Sequence, residues 1–194
     1  MARMQRLEPL SSDVSVTQIL ALDCEMVGVG AGGVRSALAR VCVCNSSGNV
    51  LLDSFVAVEE RITDYRTPFS GIRPENLEHA PPFLEVQGLV RDLVRGHTVV
   101  GHALYNDFDV LGFIHPAHDV RDTANYPLLR NAGGRPRKLR HLAKEILGAV
   151  IQTGEHNPAE DARAALYIYH QFALDWEGSL IRRREDGEQE QKET

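Results

Sequence analysis

Residues 21–27 read Ala-Leu-Asp-Cys-Glu-Met-Val, ALDCEMV, directly after Ile19-Leu20. A short hydrophobic run of this kind belongs in a core, yet it carries two carboxylates one residue apart. On a strand the side chains alternate, which puts Asp23 and Glu25 on one face and Leu22, Cys24 and Met26 on the other. Two anions held that close repel, and burying them unpaired costs several kcal/mol each. Something positive is expected between them.

The 194 residues suit one domain with a sizeable core. No apolar stretch is long enough to span a bilayer, and residues 1–13 lack the apolar centre of a secretory signal, so an intracellular protein without a membrane partner is expected. Cys24, Cys42 and Cys44 are odd in number and fall in strand-like runs. Cys42-Val43-Cys44 is too tight for a zinc knuckle, so reduced buried thiols are predicted. The net charge of −6 does not argue against a polyanionic partner, because residues 184–194 alone carry −3.

Residues 1–16 read as a flexible lead-in, residues 17–181 as the working domain, and residues 182–194 as an acidic disordered tail. Strands are predicted at Ile19–Val27, Leu38–Cys44 and Val50–Val58, the last two joined as an antiparallel hairpin by Asn45-Ser46-Ser47-Gly48-Asn49. The Pro- and Arg-rich stretch that follows is expected as a long functional loop with a helical turn. Apolar spacing predicts a helix over Phe83–Arg95, and Thr98–His102 reads as a buried strand. A helix from Tyr105 to Phe113, a short strand near Val120, a basic loop at Gly133–Lys138, a helix over Leu139–Leu147 and a final helix from Pro158 to about Leu180 follow. Strands first, then alternating helix and strand, predict an α/β domain with a mixed sheet.

Helix signals place further acids. Asn157 is a good N-cap, Pro158 suits the first helical position, and Glu160 stands where a capping box wants it. That register sets His156 just outside the cap and Asp161 one turn in, the two positions a helix start brings into contact. A local ion pair at a positive helix end is one reading of them. In GHALYNDFDVLGF, Asp107 and Asp109 begin a helix after a strand, where acids also complement the dipole.

The order Asp-x-Glu, a later Asp, then His-x-x-x-x-Asp resembles the DEDDh 3′-to-5′ exonucleases of the ribonuclease-H-like superfamily. DCEMVGVG, ITDYRTPFSGI, VVGHALYNDF, RDT and H-x-x-x-ED-A are similar to one branch, the group of the interferon-stimulated exonuclease, apoptosis-enhancing nuclease and Rex-type RNA exonucleases. The resemblance covers roughly residues 18–178. It implies a ribonuclease-H-like fold with a five- to six-stranded mixed sheet flanked by helices. It also implies that Asp23, Glu25, Asp107 and Asp161 hold two divalent ions, Mg²⁺ or Mn²⁺, and that His156 is the general base. Asp109 and Asp122 compete in number only; Asp122 is expected to support the site from a strand end. Asn157-Pro158 departs from the small hydroxyl residues usual after the histidine.

This donor set suits phosphodiester hydrolysis. Hard divalent ions prefer oxygen ligands, and two of them about 3.5–4 Å apart can neutralise the attacked phosphate and the leaving oxygen. An imidazole with a pKa of about 6.5 can take a proton at neutral pH. The expected activity is removal of nucleoside 5′-monophosphates from 3′ ends of single-stranded RNA, by a monomer of nuclear or nucleolar location. DNA is the first alternative substrate, and a catalytically silent nucleic-acid-binding domain the second. Met26 and Val27 could border the terminal nucleotide, with core packing as the other reading of Met26. Arg66 could meet the terminal sugar or phosphates, or stay solvated. Arg137 and Lys138, in the run 135–141, could track phosphates, direct nuclear import or be simply solvated. Phe69 and Tyr105 could stack on bases.

Overall fold

The computed structural model describes residues 7–190, with side chains through Arg182. Its central strand is the one that carries the acid pair. Strand β1 (Ile19–Val29) pairs antiparallel with β2 (Arg35–Asn45), which pairs antiparallel with β3 (Val50–Phe55). On its other side β1 pairs parallel with β5 (Thr98–Gly101), and β5 pairs parallel with β6 (Val120–Asp122). The short β4 (Ile62–Asp64) pairs with the far end of β1, giving a mixed six-stranded sheet in the order β3-β2-β1-β5-β6.

Among the described residues six α-helices accompany the sheet: α1 (Thr67–Ser70), α2 (Pro74–Leu77), α3 (Phe83–Val94), α4 (Tyr105–Leu111), α5 (Leu139–Leu142) and α6 (Pro158–Glu190). Alternation along β1 decides which face each covers. Leu20, Leu22 and Cys24 pack with Val86 and Val90 of α3 and Leu111 of α4. Ala21 packs with Leu142 of α5 and with Ala162, Ala165, Leu166 and Tyr169 of α6. The alanines let α6 lie close to the sheet, and Trp176 closes that layer by stacking on Tyr126 at 4.0 Å. All three cysteines are buried and free, as their spacing predicts; the Cys42 and Cys44 sulfurs stand 3.9 Å apart. Among the described residues no helix is long and apolar enough to cross a membrane.

Several boundaries differ from the pattern-based expectation. The third strand stops at Phe55, and the loop after it contains β4 and two helical turns. A register shift between Glu25 and Met26, and a second between Gly28 and Val29, bend the end of β1 so that β4 can pair there. The helix expected over Leu139–Leu147 is α5 followed by a π-helical turn, Ala143–Leu147, closed by Gly148 at φ +64°. Helix α6 runs past Leu180 to Glu190 because Arg, Glu and Gln are strong helix formers that need no core contact. That span includes most of the segment expected as a disordered tail; residues 191–194 lie outside the described residues. Of the lead-in, residues 1–6 also lie outside them. Residues 7–16 hold no helix or strand, yet Asn45 and Asn49 amides bond the Asp13 carbonyl at 2.7 and 2.8 Å, and Tyr167 bonds that of Glu8 at 2.8 Å.

Candidate active site

The site forms where β1 outruns its parallel neighbour. Strand β5 pairs only with Ile19–Ala21 and β4 only with Gly28 and Val29, so that edge of β1 has no strand partner from Leu22 to Val27. The start of α4 fills that gap. Gly101 permits the approach, since a Cβ there would lie 2.8 Å from the Leu22 carbonyl oxygen. The chain then turns through Ala103 at φ +60°, a strained non-glycine conformation. Asp122, at the end of β6, holds that turn: its carboxylate accepts from the Ala103 and Ala124 amides at 2.8 and 2.9 Å and from Asn125 Nδ2 at 2.8 Å. Asp122 thus braces the turn that leads from β5 into α4. Asp109 is exposed on α4, whereas Asp107 is 4 % exposed and turned to β1, where the Cys24 backbone and thiol favour its charged form against the stronger effect of burial.

Asp161 arrives from the opposite layer. The Asn157 side chain accepts from the Ala159 amide at 3.0 Å, capping α6, and the Asp161 amide donates to the Asn157 carbonyl at 2.9 Å. His156 therefore sits just outside the helix with Nδ1 3.6 Å from Asp161 Oδ2. The ligand atoms of Glu25, His156 and Asp161 lie within 4.8 Å of one another, a set able to hold a metal ion. Asp23, one register step back, feels Asp161, Asp107 and Glu25 electrostatically. Glu25, His156 and Asp161 are thus brought together, with Asp23 and Asp107 near enough for their charges to be felt in the cluster.

Burial dominates the electrostatics. It pushes Asp23 well above the usual carboxylate range, helped by the charges of Asp161, Asp107 and Glu25. Burial, with Asp161, raises Glu25 to about 8 even though Arg40, its cross-strand partner, pulls the other way. Asp107 is raised to about 8 and Asp161 to about 7, again by burial. His156 is lowered by burial and then by Arg140, which keeps its imidazole neutral at pH 7. Glu25 Oε1 and Asp161 Oδ1 are buried without any hydrogen-bond partner. Bare buried carboxylate oxygens are expensive in a folded protein unless a cation meets them. An all-carboxylate donor set beside an imidazole fits a hard divalent ion.

The residues named for substrate contact divide. Phe69 and Tyr105 are 68 % and 69 % exposed and offer open rings. Lys138 is exposed as well. Met26 is half-buried and packs partly on the α3/α4 layer. Val27 is fully buried with Ala39 and Ile72 and offers a terminal nucleotide no surface. The Arg66 guanidinium donates to Ser36 Oγ and the Gly33 carbonyl, both at 2.8 Å, and braces the β1–β2 turn. Arg137 is paired with Glu145. Two neighbours of the site carry no motif signal: Gln152, which donates to Asp161 Oδ2 at 2.9 Å, and Arg140, visible in the sequence only as one member of a basic run.

Residues 20–169 match the profile of an exonuclease family, RNase_T. RNA exonuclease 4 of Xenopus laevis is 44% identical over 167 residues, covering 85% of this chain and 39% of the relative. The Homo sapiens RNA exonuclease 4 is 44% identical over 171 residues, covering 87% and 40%. The chain thus spans about two fifths of the length of these curated relatives. Among solved structures, the Neurospora crassa Pan2 catalytic unit superposes with a TM-score of 0.75 at 24% identity, covering 92% of this chain and 31% of that one. The Saccharomyces cerevisiae Pan2 exonuclease module in complex with AAUUAA RNA gives 0.72 at 29% identity, covering 86% and 30%. The fold is ribonuclease-H-like, and the chain belongs to the RNase_T exonuclease family.

Proposed function

We propose that this chain is a metal-dependent 3′-to-5′ exonuclease that shortens single-stranded RNA and releases nucleoside 5′-monophosphates. The observation that carries the reading is the convergence of Asp23, Glu25, Asp107 and Asp161 beside His156, with bare buried oxygens on Glu25 and Asp161. The similarity to RNA exonuclease 4 and to an RNA-bound Pan2 module supports RNA as the substrate class.

The four carboxylates would hold two Mg²⁺ or Mn²⁺ ions, which when bound neutralise phosphate charge and acidify water. The chain's own groups do the rest. His156, neutral and turned with Nδ1 toward Asp161, presents its other ring nitrogen to an attacking water and takes its proton. The water oxygen attacks the terminal phosphorus, and the bond from phosphorus to the 3′-oxygen of the preceding nucleotide breaks. Asp161 steadies the imidazolium that forms. Phe69 and Tyr105 supply stacking faces, while Arg140 and Lys138 draw the phosphates in. The working unit is a monomer, and the family resemblance supports a nuclear or nucleolar location.

The test is a 5′-labelled single-stranded RNA, with a matched DNA, incubated with Mn²⁺ or with EDTA. The reading expects a ladder shortening from the 3′ end, faster on RNA and abolished by EDTA. Internal cleavage, or shortening that persists in EDTA, would overturn it.

A further inference from the structure

Gln152 stands in the loop between the π-helical turn and α6, and the structure keeps it in a conformation few side chains adopt. Its φ is +54°, one of three positive values at non-glycine residues among the described residues. The preceding Ile151 is buried in the α5/α6 layer and fixes the loop from below. From there the Gln152 amide Nε2 donates to Asp161 Oδ2 at 2.9 Å. His156 Nδ1 approaches that same oxygen at 3.6 Å. Both protein contacts to the carboxylate therefore fall on Oδ2, and Oδ1 is left buried with no partner, as is Glu25 Oε1.

Left to itself, a carboxylate at a helix start can rotate and share its oxygens among neighbouring donors. A fixed donor on one oxygen removes that freedom. Groups behind a ligand set its orientation in this way, and losing one typically weakens metal affinity about 10–100-fold. Backbone strain kept where it delivers a side chain to a functional group points the same way.

We propose that Gln152 is a positioning residue that assigns the two oxygens of Asp161, holding Oδ2 for the protein and His156 and presenting Oδ1 to the divalent cation. The inference rests on the metal-site reading above. Gln152 touches neither substrate nor cation; it acts through Asp161.

Two variants test it. Gln152→Leu removes the donor at similar volume, and Gln152→Gly removes it while relieving the positive φ. Mn²⁺ binding is measured on the full chain by electron paramagnetic resonance, alongside thermal unfolding in EDTA and RNA turnover across a Mn²⁺ series. The expected result is Mn²⁺ affinity weaker by about 10-fold or more in both variants. Turnover should recover partly at high Mn²⁺, with KM for RNA unchanged, and Gln152→Gly should unfold in EDTA no earlier than the wild type. Wild-type Mn²⁺ affinity in both variants would overturn the positioning role while leaving the metal site standing. If the wild type itself binds no Mn²⁺ and Asp161→Asn changes nothing, the metal-site reading falls and takes this inference with it.

Discussion

His156 and Phe69 are joined twice: the His156 amide donates to the Phe69 carbonyl at 2.7 Å, and their rings meet edge to face with centroids 6.4 Å apart. The proposed base is thus fastened to the loop that carries an exposed aromatic. The neighbouring ion pair of Arg73 with Glu155 clips the same two loops together.

Phe69→Ala should fold normally, because the ring is mostly exposed, and should lose the stacking face and the edge contact together. An aromatic contact is worth about 0.5–1.5 kcal/mol and base stacking about 1–3 kcal/mol. A fall of about 10- to 100-fold in kcat/KM on RNA is expected, measured by single-nucleotide release. An unchanged value would remove Phe69 from substrate handling.

His156→Ala should keep Mn²⁺ binding and RNA binding, since the carboxylates remain. Turnover should drop about 10²- to 10⁴-fold, the usual worth of a positioned base. Near wild-type turnover would show that another group takes the proton.

Asp107 and Asp109 make a paired control. Asp107→Asn should abolish activity and, in EDTA near neutral pH, should raise the melting temperature, because it removes a carboxyl that burial forces to take up a proton on folding, its pKa being raised to about 8. Asp109→Asn, on the exposed face of α4, should change either quantity by less than about twofold or a degree. Equal losses in both variants would contradict the assignment.

The raised carboxylates also give the metal-free protein a signed pH dependence. Their folded pKa values exceed the ordinary carboxylate value near about 4, so the protonated forms favour the fold. That stabilisation is full below about pH 4 and fades as pH rises through about 7 for Asp161 and about 8 for Glu25 and Asp107. Melting temperature in EDTA should therefore fall between pH 5 and pH 8 in the wild type, and by less in a variant carrying Asp107→Asn. A cation competes with those protons, so added Mn²⁺ should raise the melting temperature more at pH 8 than at pH 5. A Mn²⁺ effect independent of pH would count against the carboxylates as its ligands.

Much of the site was legible because it is written locally. Alternation on β1 put Asp23 and Glu25 together, and the capping signals at Asn157-Pro158 set His156 against Asp161. The resemblance supplied Asp107 over Asp109, which helix-start arguments leave equal; burial then separates them. Bulges were not legible, so β4 and the bent end of β1 went unseen, as did the π-helical turn after α5. Arg66 and Arg137 illustrate why substrate contacts are hard to read: an arginine in a motif is as able to brace a turn or meet a glutamate as to meet a phosphate. Gln152 gives no signal at all, since nothing in one chain's pattern reveals a side chain that reaches back to a carboxylate nine residues on.

The most direct test is a crystal soaked in Mn²⁺ and measured for anomalous scattering. Clustered acids bridged by divalent ions predict peaks among Asp23, Glu25, Asp107 and Asp161, with Glu25 Oε1 and Asp161 Oδ1 within about 2.0–2.3 Å of manganese. Peaks confined to other surfaces, with those two oxygens bonded to protein or water alone, would contradict it.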